Sequence, residues 1–138
     1  MYSIKMILSL IWFLNFQSNH DLTVNITNIK EPQGQLIMAI FDSEDTFLEK
    51  PFQSKKIEVS GESQKVVFKN LPAGHYSVSI IYDENNNGEL DKNMIGIPKE
   101  GFAFSRKSMG TFGPPSYDDT KVEVKDNDVS IDIPLKYM

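Results

Sequence analysis

The segment Asp83-Glu-Asn-Asn-Asn-Gly-Glu-Leu-Asp91 sets oxygen-bearing side chains at alternate positions, Asp83, Asn85 and Asn87, followed at once by Gly88 and three residues later by Asp91. The series matches D-x-[DN]-x-[DN]-G, with an acid at the ninth position. Calcium takes six to eight oxygens at roughly 2.3 to 2.6 Å, so a chain that binds it must wrap around the ion with alternate side chains turned inward. Gly88 would permit the bend, the carbonyl of Glu89 would face the ion, and Leu90 would anchor the loop to the core. Asp83, Asn85, Asn87, Glu89 and Asp91 are therefore the candidate ligands of a calcium ion, with Glu100, Asp118 or Asp119 as candidates to complete the shell. Magnesium keeps most of its waters and suits such a loop less well. An EF-hand is excluded twice over. Position twelve is Met94 in place of a bidentate glutamate, and the residues before the loop carry strand patterning where a helix is required. The alternative is a solvated Asn/Gly-rich turn whose acids only keep the surface soluble.

Other chemistry is sparse. With no cysteine and two histidines, His20 and His75, the chain has no disulfide, no thiolate and no His-rich zinc or copper centre. His75 reads as a strand residue. No serine stands in G-x-S-x-G, no P-loop occurs, and no nucleophile can be paired with a base, so enzymatic activity is not expected. Asp118 and Asp119 are adjacent in sequence, which says nothing about the separation that glycoside chemistry requires. Ser105-Arg106-Lys107-Ser108 is a small basic patch. Asn25-Ile26-Thr27 fits the glycosylation pattern but falls inside a strand, where a structural role is expected. A second functional reading rests on Phe102, Phe104, Phe112 and Tyr117: an aromatic surface for a glycan or an envelope protein, with the acidic loop serving only as structure.

The elements that must position these residues are strands. Leu22, Val24 and Ile26 alternate with polar neighbours, and Gln35 to Asp42 is apolar almost throughout, as in a central strand covered on both faces. One helical turn is expected from Ser43 to Leu48, then strands at Lys56 to Ser60 and Gln64 to Lys69 joined across Gly61. Tyr76, Val78, Ile80 and Tyr82 share one face of a strand over His75 to Tyr82. Lys121 to Lys125 and Val129 to Pro134 read as two strands of a hairpin turning at Asp126-Asn-Asp128. About seven short strands with little helix make the expected fold all-β, an antiparallel β-sandwich. The stretch from 83 to 119 is long and rich in Gly, Pro and Asn, with weak strand patterning only at Met94 to Ile97 and Phe102 to Phe104. Loops of that length in compact domains are usually functional or disordered, and the aromatic content argues against disorder.

A chain of 138 residues suffices for one core. Residues 1–20 stand apart: Lys5, the apolar run from Met6 to Phe16, then Gln17-Ser-Asn-His20. The run is too short to span a bilayer and apolar all round, the profile of a cleaved export signal, with an uncleaved interfacial anchor as the alternative. A domain over 21–138 would then work in the periplasm or outside the cell, where calcium is plentiful, with no membrane span after cleavage. The 19 acidic and 14 basic residues give a net charge of −5, which disfavours nucleic acid as a partner and favours a cation. The acidity is concentrated, since Asp83, Glu84, Glu89 and Asp91 lie within nine residues.

Taken in order, Asn70-Leu-Pro-Ala-Gly-x-Tyr76, Asp83-x-Asn-x-Asn-Gly-x-Leu-Asp91, Gly96-Ile-Pro-x-Glu-Gly-Phe102 and Phe112-Gly-Pro-Pro-x-Tyr117 resemble the DUF2141 family of uncharacterised exported bacterial proteins. The resemblance extends from Asp21 to the C-terminus. It implies a sandwich of transthyretin-like or carboxypeptidase-regulatory-like type, from a family with no established enzymatic activity. Ser105-Arg-Lys-Ser108 departs from it, where an Asn-containing segment is expected after Phe-Ser.

Overall fold

The computed structural model describes residues 18–111 and 113–138. The export segment at 1–20 therefore lies almost wholly outside the described residues, as does Phe112. No helix among the described residues is long and apolar enough to cross a membrane.

Among the described residues eight strands form the two layers of a sandwich. They are β1 (His20–Thr27), β2 (Gln35–Phe41), β3 (Gln53–Glu58), β4 (Gln64–Leu71), β5 (Gly74–Asp83), β6 (Phe102–Phe104), β7 (Val122–Val124) and β8 (Val129–Pro134), with a 3-10 turn at Ser105–Lys107 after β6 and one α-helical turn, α1 (Tyr117–Thr120), before β7. One sheet runs β4-β1-β8 and the other β3-β2-β5-β6, with β7 paired to the first residues of β5. Period-two alternation sets the layers. Leu22, Val24 and Ile26 of β1 face Leu36, Met38 and Ile40 of β2 and Tyr76, Val78, Ile80 and Tyr82 of β5 in one buried core, closed by Val66, Phe68, Ile133 and Leu135.

The all-β sandwich is as expected, with four differences. First, β8 runs parallel to β1, pairing Leu22 with Val129 through Thr27 with Pro134, so the sheets are not wholly antiparallel. Second, β7 and β8 do not form a hairpin. Val122 to Val124 pair with Gly74 to Tyr76 of β5, and Asp126-Asn-Asp128 carries the chain across to the other sheet. Third, β3 begins at Gln53, three residues before the expected start, and its Lys55 points between the layers. There its ammonium donates to the Val67 carbonyl at 2.5 Å and lies 5.3 Å above the Phe68 ring. An inward lysine on an edge strand guards the open side of a sandwich against edge-to-edge pairing. Fourth, residues 44–49 form successive turns without becoming a helix, opened by a 2.9 Å bond between the Ser43 and Thr46 hydroxyls.

Two tyrosines fasten the β1–β2 connection. The Tyr82 hydroxyl donates toward the carbonyls of Lys30 and Glu31 and accepts from the Gln33 amide, while the Tyr137 hydroxyl accepts from Lys30 N and donates to Asn28 O. These bonds hold Gly34 against the end of β5, where the acidic loop begins.

Candidate functional site

Asp83 is the last residue of β5 and sits directly opposite Gln35, the first of β2. Its side chain lies on the outer face of the sheet yet is fully buried, because the loop folds back over it. Burying a carboxylate is costly unless its oxygens are hydrogen-bonded, and here three donors reach it. Gln35 Nε2 and Gly88 N donate to Oδ2, each at 2.8 Å, and Asn87 N donates to Oδ1 at 3.1 Å. Winding the chain this tightly needs left-handed backbone, which Asn86 (φ 56°) and Gly88 (φ 83°) supply.

The alternate side chains then converge. Asn85 Oδ1 accepts from Asn87 N at 3.2 Å, and Asn87 Oδ1 accepts from Glu89 N at 3.0 Å, so each asparagine shapes the next turn of the loop. Both amide groups reach Asp91, Asn85 Nδ2 to Oδ2 and Asn87 Nδ2 to Oδ1, each at 2.6 Å. Four of the five residues expected as ligands are thus brought together. Glu89 joins through its backbone amide, and its side chain is exposed.

Of the three residues expected to complete the shell, the structure brings in one. Glu100 is buried, and its carboxylate bridges the two arms of the loop, accepting from Asp91 N at 3.0 Å and from Glu84 N at 2.7 Å. Asp118 and Asp119 belong elsewhere. They sit on α1, which packs against the early part of β5 through Ser77 and His75, six or more strand residues from Asp83 and so about 20 Å away at ~3.3 Å per residue. Asp118 is paired with Lys121 at 3.0 Å. Leu90 also departs from expectation: it is half-buried on the outer face of the β5 sheet, outside the core between the layers. Met94 to Ile97 is the tip of a tight hairpin in place of a strand, closed by Asn93 Oδ1 accepting from Ile95 N and Ile97 N.

Electrostatically the loop is a set of carboxylates held apart by amides. Residues 83–100 contain five acids against Lys92 and Lys99. The Asn87 and Asn85 amides hold the Asp91 carboxyl below the ordinary aspartate range. Burial, and then the nearby Glu100 and Glu31 charges, push the Glu84 carboxyl above its ordinary value. Among the described residues no group of three His, Cys, Asp or Glu side chains is gathered around one point. Any ion held here would therefore be bound by a mixed set of carboxylate and amide oxygens, the kind calcium accepts.

Asp91 gives a pH signature. Its folded pKa is depressed, so the stability it contributes is present above the ordinary aspartate value of about 3.9 and is lost as pH falls through the lower folded value. Carbon-detected NMR titration should place the Asp91 midpoint below that value in the wild type and return it toward 3.9 in Asn87→Ala. An unchanged midpoint in the variant would remove the asparagine contribution.

Of the four aromatic residues expected to share a binding surface, Phe102 and Phe104 lie together, Tyr117 lies apart from them, and Phe112 is outside the described residues. Tyr117 is buried, donates its hydroxyl to His75 O at 2.9 Å, and packs edge-on against Phe47 at 5.9 Å between ring centroids. Phe102 and Phe104 lie instead on the outer face of β6. His75 is exposed, 3.3 Å from Glu123. Asn25 donates to Ser130 Oγ and Asp132 Oδ1, both at 3.0 Å, the structural role expected of it.

Sequence reasoning missed Gly34 and Gln35, which set and brace Asp83 from a strand 48 positions away. No local pattern marks either residue. Comparison with curated proteins and with solved structures finds no match. A family described as uncharacterised protein conserved in bacteria matches residues 24–132, from the middle of β1 to β8 with the whole acidic loop between them, so the chain belongs to the DUF2141 family.

Proposed function

We propose that this is an exported, non-enzymatic β-sandwich protein, periplasmic or extracellular, whose Asp83 to Asp91 loop binds a calcium ion. The observation that carries the reading is the convergence of the Asn85 and Asn87 amides on both oxygens of Asp91, beside the buried Asp83 carboxylate. The amide groups stand where a cation would neutralise Asp91. The Oδ1 atoms of Asn85 and Asn87 each accept one backbone N–H and keep a second lone pair that a cation would share. Asp83, Asn85, Asn87 and Asp91 would supply side-chain oxygens, the Glu89 backbone a carbonyl, and Glu100 a further carboxylate. Asp83 and Glu100 already have backbone partners, so the fold presents the loop largely pre-wound. Through Glu100 the ion would steady the chain leading into β6, where Gly101 O accepts from Tyr82 N at 2.8 Å. At a hundred times its dissociation constant the ion would stabilise the fold by about 2.7 kcal/mol.

Titrating calcium into nitrogen-15-labelled protein tests the assignment. Saturable shifts should centre on Asp83 to Asp91 and Glu100 and leave Asp118 and Asp119 unmoved. Shifts spread evenly over surface acids, or none, would reject the site.

A further inference from the structure

Toward β6, part of the outer face of the β5 sheet is apolar where an ordinary sandwich would be polar. Register places Ile37 and Ala39 of β2, Ile81 of β5, and Phe102 and Phe104 of β6 on this side, opposite to the core. The loops before and after β6 fold over these residues without closing on them. They leave a groove of about 380 Å³, floored by Ile81, Phe102 and Phe104 and walled by Leu90, Ile97 and Met109. That volume falls within the range of small-molecule sites, about 300 to 1,000 Å³, and the composition is typical of them: apolar walls with few polar groups. Ile97 and Met109 remain 38% and 44% exposed, so the walls present apolar surface that an occupant would cover. Among the described residues Lys92 supplies the only charged side chain of the lining and forms no ion pair.

We infer that this groove binds an elongated apolar molecule carrying an anionic head group, with its chain along Phe102 and Phe104 and its head at Lys92. An anionic group suits a rim whose lining side chains include one cation and no acid, and a neutral or cationic amphiphile would leave Lys92 unpaired or repelled. None of the proposed metal ligands lines the groove, though Leu90 belongs to their loop, so the groove is tested without calcium.

Dodecanoate, titrated below its micelle concentration in buffer containing chelator, is the probe. Dodecyltrimethylammonium serves as the matched cation. The full chain should bind dodecanoate saturably at one per molecule and at least fivefold more tightly than the cation. Lys92→Gln should remove that preference, and Ile97→Asp, on an exposed hairpin, should weaken both by tenfold or more with the circular dichroism unchanged. Absence of saturable binding, or equal binding by wild type and both variants, would overturn the assignment. So would a concentration-dependent dimer in sedimentation that Ile97→Asp dissociates, because the groove would then belong to a second copy of the chain.

Discussion

Replacing Gly34 with alanine should lower the thermal midpoint by roughly 8 to 20 °C. Two costs combine. Gly34 has φ +67°, a left-handed conformation that costs an ordinary residue about 1 to 2 kcal/mol. A Cβ there would also run into the Asp83 carbonyl oxygen and come within 2.6 Å of Glu84 O. These are backbone atoms at the end of β5, so relief requires moving the strand end itself, and forced overpacking of this kind costs about 1 to 3 kcal/mol. The sum converts to the stated shift at about 4 °C per kcal/mol for a domain of this size. Two other glycines calibrate the result. Gly88→Ala meets nothing within 4 Å but carries φ +83°, so it should show the conformational cost alone. Gly61→Ala has neither a positive φ nor a contact nearer than 3.8 Å and should be close to neutral. Differential scanning calorimetry of the three variants checks the order. A mild Gly34→Ala would mean that β2 and the acidic loop are not in the close contact described.

Asp83→Ala is expected to cost about 2 to 4 kcal/mol in metal-free protein, a large effect for a residue at the mouth of a loop. The carboxylate is fully buried and accepts from Gln35 Nε2, Gly88 N and Asn87 N. Truncation leaves those donors without their acceptor, and each buried unpaired group costs about 1 to 3 kcal/mol before solvent finds it. Asp83→Asn keeps the volume but turns an N–H₂ toward existing donors, so it should not rescue. Native-state hydrogen exchange at Asn87 and Gly88 should accelerate in both variants while the β1 amides keep their protection. Should Asp83→Asn match the wild type, the carboxylate would have no structural role in the loop. Asp91→Asn tests the proposed ligand: Asp91 is half-exposed, so water can replace its asparagine bonds and stability without calcium should fall less than in Asp83→Ala, while calcium affinity falls by tenfold or more.

Strands with strict alternation were legible from sequence alone, because burial on one face imposes period two. Tyr76, Val78, Ile80 and Tyr82 are the clearest instance, and all four are buried. The acidic loop was legible because its chemistry is local, with the bend, the alternation and the side chains lying within nine residues. Long-range pairing was not. Nothing in Val129 to Pro134 says that it lies parallel to β1 instead of returning along β7, since each partner is chosen by the assembled core. Gln53-Ser-Lys-Lys-Ile-Glu58 hid its start because an edge strand tolerates polar residues on both faces. Tyr117 read as a surface aromatic because its loop is rich in Gly and Pro. Its burial depends on Phe47, seventy positions away. Glu100 could be suggested as a ligand, but its place between Glu84 N and Asp91 N follows from the pairing of β6 with β5.

Calcium binding by the acidic loop is tested most directly by isothermal titration of calcium into chelator-treated protein, with paired thermal melts in calcium and in chelator. The account predicts one saturable site and a midpoint raised by calcium in the wild type, with both lost in Asp91→Asn. No heat of binding together with superimposable melts in the wild type would contradict it and leave the loop as a hydrogen-bonded turn.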